Sequence, residues 1–534
     1  MASFFRVDFS QRRLWVWLMA MCVGVGIVFR VANLAEPVYW VDEISTSMRV
    51  SGYTRAEVRA QVATGEPISP AGLLEFVEIR RDRPVTDLVR VLSLSPEHTP
   101  LYFVLARGWA ELFGSSVAAM RSLSVVFGLL GLPAMYGLAR SLFGAQVKLA
   151  GWLAMGLLAM SPFFVAYGQE ARPYSLWVLL LLLMGQELWR SLQADRWQAW
   201  VSYGVLLSLA LYTSLLTGLV VVGQAVAVLL FHRRRWRGYG LATGGALLSL
   251  GPWIWVVVSN WQTLQDNTQW TTVPIPFYEI MGTWFYSLAV VFFDVPVGVR
   301  VWVLALQIAI ALGVIAAIVW GGVVLVREVP RRVWGFVLAG ALANPVLLMV
   351  LDVARNGQTT APRYLIPAQL GALLVLAFWF GRVIGKSGLA GRVGRGVMGV
   401  LLLLSVVSGF ILQPSPYLKS RNLSNAEIVE LLNKAEAPQV VSTPRHIQDL
   451  MSLSYGLRAD TRFYVLPEEV SPVGVLSELL EGGEDVFLFA PSAERVERVS
   501  TEIERRVRLV YEPPPLIAGG FPLTVWRVEE GGNR

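Results

Sequence analysis

Cysteine occurs once in this chain, as Cys22, histidine occurs three times, and charged residues fill only 16% of its 534 positions. A single thiol excludes a disulfide framework and leaves the redox compartment unmarked. With 55% hydrophobic residues and so little charge, a water-soluble globule is excluded, because no soluble fold buries that much apolar surface. No repeat period is present, and no low-complexity segment beyond a proline turn at 513–515. The net charge of +7 comes mostly from arginines between apolar runs, where positive residues fix orientation in a membrane and do not bind nucleic acid.

What is present is a series of apolar runs of about 17 to 25 residues, the length that crosses a hydrocarbon core of about 30 Å. They fall near 14–34, 118–138, 149–167, 174–189, 198–212, 215–231, 240–258, 301–326, 333–351, 364–381 and 396–413. The expected fold is therefore an α-helical polytopic membrane protein of about eleven transmembrane helices. The first run is too long for a signal segment and lacks a small-residue cleavage site, so it reads as a retained span. With the amino terminus in the cytoplasm, every inside loop is basic, including the cluster Arg233, Arg234, Arg235 and Arg237. Two apolar pieces, 100–114 and 281–297, are read as interfacial and not as spans.

An odd number of spans places two polar segments on the outer face: a first loop at 35–117 and the tail. The chain then divides into a membrane domain, 1–413, and a small α/β extracytoplasmic domain, 414–534. The tail pattern predicts helices over 425–436 and 492–505, and strands over 439–441, 486–490, 507–511 and 523–528.

Ionisable residues at one membrane face mark candidate chemistry. Asp42 and Glu43 follow the first span and the aromatics Tyr39 and Trp40; their bland reading is a helix end in water. Glu97 and His98 stand before Pro100 and could ligate a metal or simply cap a helix. Arg172, within Gln169-Glu170-Ala171-Arg172-Pro173-Tyr174, and Arg363, beside Tyr364, oppose the inside bias for positive charge. Guanidinium forks suit a phosphate at that level; pairing with Glu170 or contact with lipid headgroups is the competing account. Arg121, near the outer end of the second span, is either an anchor or part of that site. His232 and His446 read as solvated surface.

Together these residues resemble the C-type superfamily of membrane glycosyltransferases, most nearly its protein O-mannosyltransferase and aminoarabinose-transferase branch. The resemblance covers roughly 35–370. It is carried by Asp42-Glu43, the Glu97-His98-Thr99-Pro100-Leu101-Tyr102 return, Arg121, the stretch from Ser161-Pro162-Phe163 to Tyr174, Leu211-Tyr212-Thr213, and Arg363-Tyr364-Leu365-Ile366-Pro367. The return has His-Thr-Pro where relatives often have His-Pro-Pro, and Ser214 stands where they often place histidine.

The resemblance implies an enzyme of the plasma (inner) membrane that moves a sugar, with inversion, from a polyprenyl-phosphate-linked donor to an acceptor glycan, lipid or protein on the extracytoplasmic face. It implies Asp42 and Glu43 as catalytic, and Arg121, Gln169, Glu170, Arg172, Tyr174, Arg363 and Tyr364 around the donor phosphate. It admits a divalent metal ion at Glu97 and His98. Besides the donor and acceptor, its partners are membrane lipids. The reading from another class is a transporter or flippase for a lipid-linked or anionic substrate. A translocation path would need ionisable residues near mid-span, and acidic residues gather instead at one face.

Overall fold

The structure, a computed structural model, describes residues 9–194, 196–295, 301–357, 359–412, 422, 424–467, 469–503, 505–513 and 523–529. The expected domain boundary at 413/414 and most of the 513–515 turn lie outside the described residues. The chain forms two compact units: Met1–Leu34, Leu92–Leu105 and Arg121–Pro414 in the first; Ala35–Val91, Ala106–Met120 and Ser415–Arg534 in the second.

The first unit is helical, and each of the eleven apolar runs is helix in the structure. Among the described residues six helices are long and apolar enough to cross a membrane by themselves, among them Arg13–Val31 within α1 (Phe9–Val31), Val117–Phe143, Val301–Glu328, Arg331–Arg355 and Ile366–Val383. Two further stretches pass only as bent pairs. Ala150–Met160 and Pro162–Gln169 meet at 61°, and Thr217–Phe231 meets Arg233–Ser249 at 116°, where the chain turns back at the basic cluster. The pieces read as interfacial overlap helices Leu101–Phe113 and Phe277–Ala289, each of 13 residues. At 1.5 Å per residue such a helix is about 20 Å long, short of the hydrocarbon thickness. Small residues let the bundle close: a Cβ on Gly223 would stand 2.2 Å from the Ala339 carbonyl oxygen of the neighbouring helix.

In the second unit the tail forms a five-stranded sheet of β1 (Gln439–Ser442), β2 (Arg462–Val465), β3 (Val486–Phe489), β4 (Val507–Tyr511) and β5 (Val525–Val528). Their order is β2-β1-β3-β5-β4. β2, β1 and β3 are parallel, whereas β5 runs antiparallel to both β3 and β4. β1 and β3 are buried along their whole length, as strands covered on both faces must be. The β2 edge is closed by the first loop: Ile68 and Phe463 exchange backbone hydrogen bonds of 2.9 Å, and the Gly65 N–H donates to the Val465 carbonyl. The division of the chain is thus not linear, since most of the first loop and the tail build one unit, while Leu92–Leu105 belongs to the other.

Candidate active site

The first unit's candidate residues surround a helix break. Pro162 has no N–H, so the carbonyl of Leu158, four residues earlier, loses its helical partner, and the bend opens the neighbouring Ala159 carbonyl as well. Arg30, in the last turn of α1 and 1% exposed, donates Nη2 to Leu158 O at 3.0 Å and Nη1 to Ala159 O at 2.6 Å. The contact is reciprocal. Gln169, at the end of the bent pair, donates its amide to the carbonyls of Phe29 and Ala32, both at 2.9 Å, and so caps α1. Gln169, expected beside the donor, therefore shapes the site by holding two helices together. Arg30 lay inside an apolar run and drew no attention in the sequence; its signal was a charge in a span opposite a span containing proline. Arg30→Ala would strand two buried carbonyls at roughly 1–3 kcal/mol each. Thermal melting in nanodiscs is expected to register that loss.

The segment that follows carries three buried charged groups, Glu170 at 3% exposure, Arg172 at 7% and, on the adjoining helix, Arg121 at 3%. Glu170 ends the Pro162–Gln169 helix in extended conformation, and the Arg172 N–H returns to its carbonyl at 2.7 Å. Ser124, one turn beyond Arg121, donates to the Arg172 carbonyl at 3.3 Å and exchanges a 2.9 Å hydrogen bond with the Tyr102 hydroxyl. Arg121 Nη1 donates to Leu34 O at 2.8 Å. The guanidinium of Arg172 lies 5.8 Å over the ring of Tyr174, and that of Arg363 lies 5.2 Å over the ring of Tyr364, the same cation–π arrangement twice. Tyr167, Tyr174, Ser175 and Ile366 line one small cavity with Arg30, of about 20 Å³, room for about one water. The start of the Ile366–Val383 helix, preceded by the Arg363 turn, therefore stands beside Tyr174.

Asp352, missed in the sequence, builds the Arg363 turn. It is 1% exposed and accepts from the Thr359 N–H and hydroxyl, the Thr360 N–H and, at 3.4 Å, Trp284 Nε1. Asn356 ends the preceding helix in the left-handed region at φ 49°, which asparagine tolerates. Gln369 Nε2 donates to the Ser287 and Pro362 carbonyls and fixes the far side.

Glu97 and His98 lie 3.6 Å apart, and Asn267 Nδ2 reaches both Glu97 oxygens at 3.2 Å. Among the described residues no three His, Cys, Asp or Glu side chains gather as metal ligands. With both carboxylate oxygens facing an amide donor, this pair does not fit a metal centre, and no step is routed through an ion.

In the second unit Asp42 and Glu43 open the helix α2 (Val41–Val50). They are not equivalent: Asp42 keeps partial exposure, whereas Glu43 is wholly buried. Tyr39 and Trp40, the aromatics before that pair, are buried too; the Tyr39 hydroxyl meets Ser47 Oγ at 2.5 Å, and its ring meets Tyr455 edge-on at 5.4 Å. The histidines expected on solvated surface are also inside. His232, 7% exposed, contacts the Arg332 carbonyl at 3.3 Å, and His446, 8% exposed, donates to Asp449 at 3.2 Å. The partner of His232 lies 100 residues away and that of His446 only three, and in both cases a polar sequence neighbourhood concealed the burial.

The elements described so far are membrane-length and broken helices, a first loop and a small terminal sheet. Two solved structures share this fold almost end to end. ArnT from Cupriavidus metallidurans bound to undecaprenyl phosphate aligns with 96% of this chain and 98% of its own at 16% identity, with a TM-score of 0.51. The apo state of the same protein covers 97% and 98% at 16% identity, with a TM-score of 0.50. Residues 97–258 match the family described as dolichyl-phosphate-mannose-protein mannosyltransferase. No curated protein sequence matches the chain.

Proposed function

We propose that this protein is an integral-membrane glycosyltransferase that takes a sugar from a polyprenyl-phosphate-linked donor and transfers it, with inversion, to an acceptor on the extracytoplasmic face. The observation that carries this reading is the repeated arginine-on-tyrosine pair, Arg172 with Tyr174 and Arg363 with Tyr364, on elements that meet in one unit. It occurs in a fold shared with a protein solved with undecaprenyl phosphate. Two guanidiniums at that place would bind the carrier phosphate and offset the charge that grows on it as it departs. Tyr174 and Tyr364 lie under the two forks, and Arg121 and Glu170 complete the donor site. Asp42, the exposed member of its pair, takes the proton of the acceptor hydroxyl as that oxygen attacks the anomeric carbon. The carbon–oxygen bond to phosphate breaks on the opposite side, the anomeric centre inverts, and polyprenyl phosphate leaves. Glu43 anchors α2 from within, while Glu97 and His98 orient the acceptor. The basic loops support an amino terminus in the cytoplasm, and the plasma membrane is the expected site.

The reading is tested with the purified full chain in nanodiscs, given undecaprenyl phosphate carrying radiolabelled mannose, glucose or aminoarabinose. Release of undecaprenyl phosphate together with label transfer or hydrolysis is expected, with an inverted product anomer by NMR. Movement of an intact lipid-linked sugar across sealed proteoliposomes, with no bond cleavage from any donor, would favour a flippase instead.

A further inference from the structure

Two side chains of the tail grip the backbone on either side of Trp40. Asn422 Oδ1 accepts the Val41 N–H at 3.2 Å, and Ser452 Oγ donates to the Tyr39 carbonyl at 2.6 Å. Trp40 is the N-cap of α2, and its side chain provides no cap. An indole has a donor and no acceptor, so it cannot receive a first-turn amide. The helix that begins with Val41 and Asp42 therefore takes its cap from a residue 381 positions away.

Asn422 is itself held in place. Its Nδ2 donates to Asn425 Oδ1 at 3.2 Å and faces Asp449 Oδ1 at 3.4 Å. Asp449 is wholly buried, and its other oxygen accepts from His446 Nδ1 at 3.2 Å. Asn425 Nδ2 donates to Ser452 Oγ at 2.8 Å, which closes the circuit to Tyr39. Farther along α2, Gln448 Nε2 donates to Ser45 Oγ at 2.8 Å. Buried networks of this kind fix one arrangement when every member is satisfied. Here the arrangement that is fixed is the first turn of the helix bearing Asp42.

We infer that Asn422, backed by Asp449 and His446, is a positioning residue that sets where the Asp42 carboxylate stands, making the tail a working part of the reaction centre. The inference rests on the reading of Asp42 as proton acceptor. Because a displacement of about 1 Å can cost about 10²-fold in rate, loss of this one cap reaches turnover without touching the donor.

The test compares the full-length parent, Asn422→Ala, the exchange pair Asn422→Asp with Asp449→Asn, and Asp42→Asn, all in nanodiscs with the lipid-linked sugar that the parent turns over. Asn422→Ala is expected to lower kcat by about tenfold to 10²-fold while KM for the donor stays within about twofold. Backbone hydrogen exchange at Val41 is expected to quicken. The exchange pair keeps an acceptor for Val41 and an amide beside it, so both kcat and protection should return. A merely structural lesion would raise KM as well and would not be rescued by the exchange, which would overturn the inference. Parental kcat in Asn422→Ala beside an inactive Asp42→Asn would overturn the inference alone. Parental turnover in both would overturn the catalytic reading of Asp42, and the inference with it.

Discussion

Asp42→Asn is expected to lower turnover by about 10²- to 10⁴-fold, the range over which a positioned general base contributes to a reaction. Asparagine preserves the size and hydrogen-bonding reach of the side chain but cannot accept the proton that the acceptor oxygen must lose. Folding should be untouched, because the carboxylate is partly exposed at the first turn of α2 and the cap of that helix comes from Asn422. Donor affinity should also be unchanged, so the loss falls on kcat with KM for the lipid-linked sugar near the parental value. Label transfer from the donor, measured beside thermal melting of each protein, separates the two effects. Unchanged turnover would remove Asp42 from the mechanism. Glu43→Gln is a contrasting case: a wholly buried group is expected to reveal itself in the melt first.

Arg172→Ala and Arg363→Ala are each expected to weaken binding of undecaprenyl phosphate by about tenfold or more, as removal of a charge-assisted hydrogen-bond donor does. Lysine should restore only part of the affinity at either place. It returns the charge but neither the planar fork nor the flat face that lies over Tyr174 or Tyr364. Binding is measured directly, by quenching or by competition with a labelled carrier, so the result is independent of which sugar is transferred. Parental affinity in both alanine variants would move the phosphate site elsewhere.

The helices of the first unit were legible because hydrophobic length is a property of a single segment: all eleven apolar runs are helical, although among the described residues only six, or eight with the bent pairs, pass as spans. What stayed hidden depends on partners far apart in the chain. Arg30 reads as an awkward charge in an apolar run until the carbonyls freed by Pro162 are set against it. Gln169 sits in the stretch that carries the family resemblance, yet its amide is committed to α1. β2 was not read although it is no shorter than β1, β3 or β5; part of its edge pairing comes from Ile68 in the first loop. The helices Ile447–Ser454 and Val473–Glu481 were not read either. Asp42 and Glu43 are adjacent and chemically alike in the sequence; only the packing of α2 separates an open carboxylate from a closed one.

The closing of the β2 edge by the first loop, and the capping of α2 by the tail, bear on how the protein comes into being. Residues 39–68 leave the ribosome early, but the groups that secure them, Asn422, Ser452 and Phe463, emerge only after the last apolar run has been threaded. Contacts so distant along the chain form late. A nascent chain that has already inserted its helices would therefore lack the cap on α2 until Asn422 and Ser452 have followed.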